Sequence, residues 1–227
     1  MWITLCYNFR MKKKVRLKTF YDYIIEENEK FNITNITDET EFYVKNVADS
    51  LYGCEFLEKG KSVVEIGSGG GFPSVPIKIE REDLKFTLVE SNAKKCGFLQ
   101  RVREKLRFDD FIVICARSED LAAKSEYRES FDHGVARAVA PMNILCELIL
   151  PLIKVGGTAV IYKGKNYEEE LKAAENAIKT LGATVSAIKT YSLERGFGDR
   201  AIIVLKKIKN SDGVYPRKYA KIKNHPL

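Results

Sequence analysis

Ser62-Val63-Val64-Glu65-Ile66-Gly67-Ser68-Gly69-Gly70-Gly71-Phe72-Pro73 decides the architecture. Val63-Val64-Glu65-Ile66 is a short apolar run of the strand type, and five residues, four of them glycine, stop it. An amphipathic helical pattern follows at residues 73–79, with its prolines early, where a first turn tolerates a missing N–H. Glycines let a backbone turn sharply and approach a ligand closely. The helix start after such a turn offers free N–H groups to an anionic group. Two nucleotide sites are excluded. A dinucleotide fingerprint needs its third glycine at position 72, where Phe72 stands, and no Gly-Lys-Ser/Thr follows to make a P-loop.

Downstream, strands and helices alternate. Strands are expected at 85–90, 111–115, 133–136, 158–163, 185–191 and 201–206, with helices at 93–106, 143–153 and 167–181. Phe98, Leu99, Val102 and Leu106 share one face of the first of these helices. This order predicts an α/β fold with a doubly wound, mostly parallel sheet of seven strands. The last two strands have no helix between them, so the link 194–200 suits an antiparallel hairpin at the edge. Upstream, Leu17, Phe20, Tyr21, Ile24 and Ile25 mark one helix, and Val44, Val47, Ala48 and Leu51 a second, across the polar connector 32–37. The expected division is a helical cap at 1–60, a core at 61–208 and a basic tail at 209–227.

Composition narrows the class. Of 227 residues, 45% are hydrophobic and 30% charged, an ordinary globular balance. No run is long and apolar enough for a membrane span, and residues 1–9 are too short for a secretory h-region. Cys6, Cys54, Cys96, Cys115 and Cys146 are scattered, which predicts reduced, buried thiols in a cytoplasm and no metal site. His133 and His225 are the only histidines, and His133 falls inside a strand without a catalytic role. The net charge of +7 admits a polyanionic partner.

The cofactor follows from what surrounds the glycine turn. The pattern is G-x-G-x-G with Glu65 two residues ahead of it. The next strand ends in Glu90, placed to accept both hydroxyls of a ribose. Arg117-Ser118-Glu119 follows the third strand, where such folds hold an adenine, and Arg137 closes the fourth at the sheet's carboxyl edge. Together these residues look like the S-adenosylmethionine (SAM) site of a Rossmann-like class I methyltransferase, drawing on Glu65, Gly67, Ser68, Gly69 and Gly71. Three readings stay open here: an RNA methyltransferase, a small-molecule methyltransferase, and a non-catalytic SAM- or RNA-binding module.

From residue 31 to residue 227 the chain resembles one family, the small-subunit ribosomal RNA methyltransferases RsmG, or GidB. The resemblance rests on Phe31-Asn32-Ile33-Thr34-Asn35-Ile36-Thr37, Asp49-Ser50-Leu51, Gly67-Ser68-Gly69-Gly70-Gly71-Phe72-Pro73, Glu90-Ser91-Asn92, Lys94-Lys95 and Phe98-Leu99. It continues through Arg117-Ser118-Glu119, Phe131-Asp132, Ala136-Arg137-Ala138, Lys163-Gly164, Tyr215-Pro216-Arg217 and Pro226-Leu227. It implies methyl transfer from SAM to nitrogen-7 of a guanine in 16S rRNA of the small ribosomal subunit, by a protein expected to be a monomer. Gly67 and Phe72 would line the SAM site, and Glu90, Ser91 and Asn92 would flank the ribose. Ser118 and Glu119 would hold the adenine, and Arg137 would reach the methionine moiety or the incoming base. The chain departs from the family pattern at Asn46 (usually His), Ser74 (usually Gly), Glu90 (usually Asp) and Lys95 (usually Arg).

The chemistry suits these residues. Guanine nitrogen-7 carries a lone pair and no proton, so attack on a sulfonium methyl needs alignment and no general base. The Asn/Asp-Pro-Pro-Tyr run of amine methylation and the Pro-Cys nucleophile of cytosine methylation are both absent. Expected RNA contacts are Lys94, Lys95, Lys163, Arg200, Arg217 and Lys218, helped by the basic run Lys12, Lys13, Lys14, Arg16 and Lys18. Tyr215 and Tyr219 would stack on unpaired bases.

Overall fold

The computed structural model describes residues 11–227, so the expectations for residues 1–9 and for Cys6 lie outside it. Five strands run parallel: β1 (Ser62–Ile66), β2 (Lys85–Glu90), β3 (Phe111–Cys115), β4 (Phe131–Arg137) and β5 (Ile153–Gly164). β6 (Ala183–Ser192) and β7 (Asp199–Lys207) form the expected antiparallel hairpin, and the sheet order is β3-β2-β1-β4-β5-β7-β6. The chain leaves β1 in one direction and returns to β4 on its other side. That reversal is where open α/β sheets bind ligands, outside the carboxyl ends of the strands.

Period-two alternation feeds two apolar layers. Val63, Phe86 and Leu88 pack with Leu17, Phe20, Phe98 and Leu99 on one face, while Val64, Ile66 and Val89 pack with Leu145, Ile149 and Ile178 on the other. The first face receives α1 (Met11–Asn28), α3 (Ser74–Glu80) and α4 (Ala93–Leu106). The second receives α6 (Met142–Ile149), α8 (Glu175–Thr180) and α9 (Tyr219–Asn224). α5 (Ser118–Ala122) and α7 (Tyr167–Ala173) complete the set.

Three helical stretches differ from expectation, and β4 to β7 each begin two to five residues early. The helix expected at 143–153 stops at Ile149, because Pro151 turns its last residues into a 3-10 turn, Leu150–Leu152, and Ile153 already opens β5. The helix expected at 167–181 is two short helices that meet at Ala174 (φ −99°, ψ 0°). The second cap helix, α2, joins Glu39–Glu41 to Asp49–Leu51 through a π-helical stretch, Phe42–Ala48.

The cap is fastened to the core by apolar and ionic contacts together. Phe20 and Phe42 close on Phe72 with ring centroids 5.4 and 5.7 Å apart. Arg101 on α4 reaches Glu27 (2.7 Å) and the Tyr23 hydroxyl (2.8 Å). Lys13 pairs with Glu80 at 2.8 Å, Arg16 with Glu82 at 2.5 Å and Lys18 with Asp22 at 2.5 Å. Much of the basic run expected to track phosphates is therefore neutralised within the fold. The tail is likewise folded onto the core. Arg128 donates to the carbonyls of Ser211, Asp212 and Tyr215, and the Lys207 ammonium is buried against Leu150 O, Ser211 Oγ and Glu129.

Candidate active site

The glycine turn folds back against β2. Gly67 and Ser68 donate to Val89 O at 2.8 and 3.3 Å, and Gly71 donates to Ser68 O at 2.7 Å. Gly67 and Gly71 hold φ of +62° and +87°, a region that L side chains rarely adopt. A Cβ on Gly67 would stand 2.9 Å from Val139 Cγ2, so this position also needs glycine for space. Two of the N–H groups at the start of the following helix are spent. Val75 N already donates to Gly71 O at 2.8 Å, and Ile77 N to Pro73 O at 3.2 Å.

Glu90 braces the turn from β2. Its Oε2 accepts from Gly69 N at 2.9 Å and its Oε1 from Asn92 N at 2.8 Å, and each carboxylate oxygen keeps a lone pair for a ligand hydroxyl. Asn92 has a local task. Its Oδ1 accepts from Lys94 N and Lys95 N and caps α4, which leaves those two lysines at the helix start, with Lys94 exposed. Beside the turn lies a cavity of about 140 Å³ lined by Gly67, Ser91, Ser118, Glu119 and Tyr219. Tyr219 comes from the tail and walls this cavity, with the Arg117 guanidinium 5.3 Å above its ring. Phe72 is buried in the cap–core aromatic cluster, and Arg137 lies 5.2 Å over its ring.

Arg137 closes β4 and lines a second cavity of about 530 Å³, together with Asn46, Asp49, Val139, Lys163 and Arg200. The cap holds its guanidinium from one side. Nη1 donates to Lys45 O (2.7 Å) and Asp49 Oδ2 (2.9 Å), and Nη2 donates to Asn46 Oδ1 (2.6 Å). Three of its five N–H groups are thus taken, and Nε–H and one Nη2–H remain. Asp49 is fixed in turn by the Tyr191 hydroxyl at 2.7 Å, and the Tyr191 ring stacks on Tyr52 at 3.9 Å. The π-helical stretch makes the grip, since it carries both Lys45 and Asn46.

Glu65 is fully buried, and no hydrogen-bond partner reaches either carboxylate oxygen; Ser74 Oγ and Asn46 Nδ2 are orphaned in the same way. Burial pushes the Glu65 carboxyl up to about 8. The Ser74 hydroxyl and the Arg137 charge pull the other way without closing a hydrogen bond to it. A buried carboxylate without a counterion fits a cationic ligand. Two of the three orphaned residues, Asn46 and Ser74, are positions where the chain departs from the family pattern.

Other expected residues are placed differently. The Lys163 ammonium is buried between Ala140 O (2.9 Å) and Glu170 (2.5 Å), where it cannot serve as a free phosphate contact. Arg217 grips the fully buried Glu147 through Nε (2.9 Å) and Nη2 (2.6 Å), so it anchors the tail. Tyr215 packs against the second apolar layer. Cys115 is exposed at the end of β3, unlike the buried Cys96 and Cys146. His133 lies in β4 as expected; it is buried, accepting from Glu58 N and bonded to Thr158 Oγ1, and burial lowers its pKa. Lys218 is exposed, and Arg200 sits half-buried at the rim of the larger cavity. Asp49, in the Asp49-Ser50-Leu51 motif, joins the site through Arg137. Tyr191 carried no sequence signal.

The profile of the GidB family, described as rRNA small subunit methyltransferase G, matches residues 13–202. The chain belongs to this methyltransferase family. Proteins named "Ribosomal RNA small subunit methyltransferase G" include that of Lactobacillus johnsonii, 40% identical with 97% of this chain and 95% of the relative covered. That of Carboxydothermus hydrogenoformans is 38% identical, with 95% and 93% covered. Among solved structures, M. jannaschii TYW2 in complex with AdoMet superposes with a TM-score of 0.57 at 14% identity, covering 78% of this chain and 81% of that one. The precorrin-6y C5,15-methyltransferase of Geobacter metallireducens gives 0.54 at 16% identity, covering 80% and 96%. These two share the class I fold. S-adenosylmethionine is the cofactor of the GidB family. The orphaned Glu65 carboxylate and the glycine cradle at Gly67 fit it, because it carries a sulfonium and an ammonium.

Proposed function

We propose that this chain transfers a methyl group to nitrogen-7 of a guanine in the 16S RNA of the small ribosomal subunit, as a monomer in the cytoplasm. One observation carries the choice of atom. The carboxylates lining the Arg137 cavity are already engaged: Asp49 by Arg137 and Tyr191, Glu170 by Lys163 and Met142 N. A nucleophile that must first lose a proton finds no free base among these groups. Nitrogen-7 of guanine has none to lose.

Bound SAM supplies an electrophilic methyl on a sulfonium sulfur. The chain's residues bind and align. Glu65 is the buried counterion for the cofactor's positive charge. Gly67, Ser68, Gly69 and Gly71 let the backbone approach closely, and Glu90 accepts from the ribose hydroxyls while bracing Gly69, with Ser91 beside it. Ser118 and Glu119 face the adenine, and Tyr219 closes over that side. Arg137, held by Asn46 and Asp49, directs its two remaining N–H groups at the guanine. Oxygen-6 and nitrogen-7 of guanine are both acceptors, and a donor on oxygen-6 leaves nitrogen-7 free. Alignment of this kind supplies roughly 7–11 kcal/mol of a barrier. Lys94, Lys95, Arg200 and Lys218 contact phosphates. The division of labour is a cap at 1–60 that sets Arg137, a core at 61–208 that holds the cofactor, and a tail at 209–227 that closes the cofactor side.

The test is to incubate the protein with labelled SAM and small-subunit rRNA lacking this methylation, then digest to nucleosides. Label in 7-methylguanosine is expected, with a rate that falls steeply as salt rises. Label in another nucleoside, or none, overturns the reading. A rate indifferent to salt would point to a small-molecule substrate.

A further inference from the structure

A third recess lies beside the Arg137 cavity, and of its lining only Arg200 and Tyr191 enter the reading above. It measures about 420 Å³, within the range of small-ligand sites. Lys165 and Tyr167 line it from the segment after β5, Thr190 and Tyr191 from the end of β6, and Arg200 from the start of β7. Arg200 lines both cavities, so the two adjoin across its side chain.

The lining is cationic and aromatic. Lys165 is exposed and makes no ion pair among the described residues. The side-chain hydrogen bond of Arg200 goes to the carbonyl of its neighbour Asp199 at 2.9 Å, which leaves its charge uncompensated. The Asp199 carboxylate, also in the lining, accepts from the Ser192 hydroxyl at 2.6 Å and keeps its charge, so two cations face one anion and the lining carries a net charge of +1. Tyr167 and Tyr191 add partly buried rings, and Tyr52 already covers one face of Tyr191. Cations that follow a backbone and rings that receive bases are what unpaired RNA requires of a surface. The wall is also wired to the first cavity. The Tyr191 hydroxyl donates to Asp49 Oδ1, and Asp49 Oδ2 accepts from Arg137.

We propose that this recess seats the nucleotide adjoining the methylated guanine, with Arg200 on the phosphodiester between the two and Lys165 on the next phosphate. A base placed against Arg137 forces its neighbour to lie one phosphate away, and the shared wall at Arg200 is where that phosphate passes. The inference rests on the RNA methyltransferase reading and adds to it a second nucleotide subsite.

The experiment compares wild type with Lys165→Ala and Thr190→Trp. Thr190 is exposed on β6, so the indole fills the recess without entering the core. The probes are unmethylated small-subunit rRNA and short RNAs that end at the target guanine or run one nucleotide past it on either side. Lys165→Ala is expected to raise the KM for rRNA about fivefold and to reduce the salt slope by about 0.7, the share of one phosphate contact on a single strand, with the KM for SAM unchanged. Wild type should favour the extended RNA over the truncated one, and Thr190→Trp should abolish that preference. Variants that methylate and discriminate as wild type does would overturn the subsite alone. A wild type that methylates no RNA would overturn the reading and the subsite together.

Discussion

Replacing Glu65 by Gln should stabilise the cofactor-free protein at alkaline pH, and the sign follows from burial. The Glu65 carboxyl is pushed up to about 8 in the fold, against 4.5 for a free glutamate. Between these values the folded chain keeps a proton that the unfolded chain has released. Each unit of rising pH therefore costs the folded state about 1.36 kcal/mol, and the whole window about 5 kcal/mol. Gln has nearly the same shape and no charge, so its curve omits this slope. Urea denaturation of both proteins from about pH 5 to pH 8.5 reads the difference directly. The advantage of Glu65→Gln should widen steadily with pH in the absence of SAM. Saturating SAM should narrow it, because the charged carboxylate then gains its counterion. Parallel stability curves across the window would refute Glu65 as an uncompensated buried acid. An advantage unaffected by SAM would refute its role toward the cofactor.

Arg217→Ala removes the partner of the fully buried Glu147. It should cost about 3–5 kcal/mol in denaturation while leaving the salt slope of RNA binding unchanged. Arg137→Ala should lower kcat for methyl transfer at least tenfold, about 1.4 kcal/mol of transition-state binding, with the SAM affinity measured by calorimetry retained. Lys94→Ala with Lys95→Ala should weaken rRNA binding and reduce the salt slope by about 1.4, two phosphate contacts on a single strand. Gly67→Val places a β-branched side chain at φ +62° against Val139 and should abolish the calorimetric heat of SAM binding.

What could be read from the sequence was what depends on near neighbours. β2 and α4 begin and end where expected, because Glu90, Asn92 and the apolar face from Phe98 to Leu106 act locally. The glycine turn was legible for the same reason. The π-helical stretch was not, since the apolar spacing of Val44, Val47, Ala48 and Leu51 looks the same in an α-helix. Charge was the least legible property. Arg217 and Lys218 are adjacent in sequence and read alike, yet one is spent on a carboxylate 70 positions away and the other is exposed. Lys163 and Arg200 differ in the same way, because the Glu170 carboxylate folds onto one of them. The grip on Arg137 joins β4 to a cap residue 88 positions earlier and to Tyr191 beyond it, a connection no local pattern records.

Mass mapping of 16S rRNA from cells with and without this protein reads the methylation itself. One guanine should be a methyl group heavier only when the protein is present, with the methyl on nitrogen-7. Identical maps from the two strains, or a methyl on another atom or base, would contradict the proposed function.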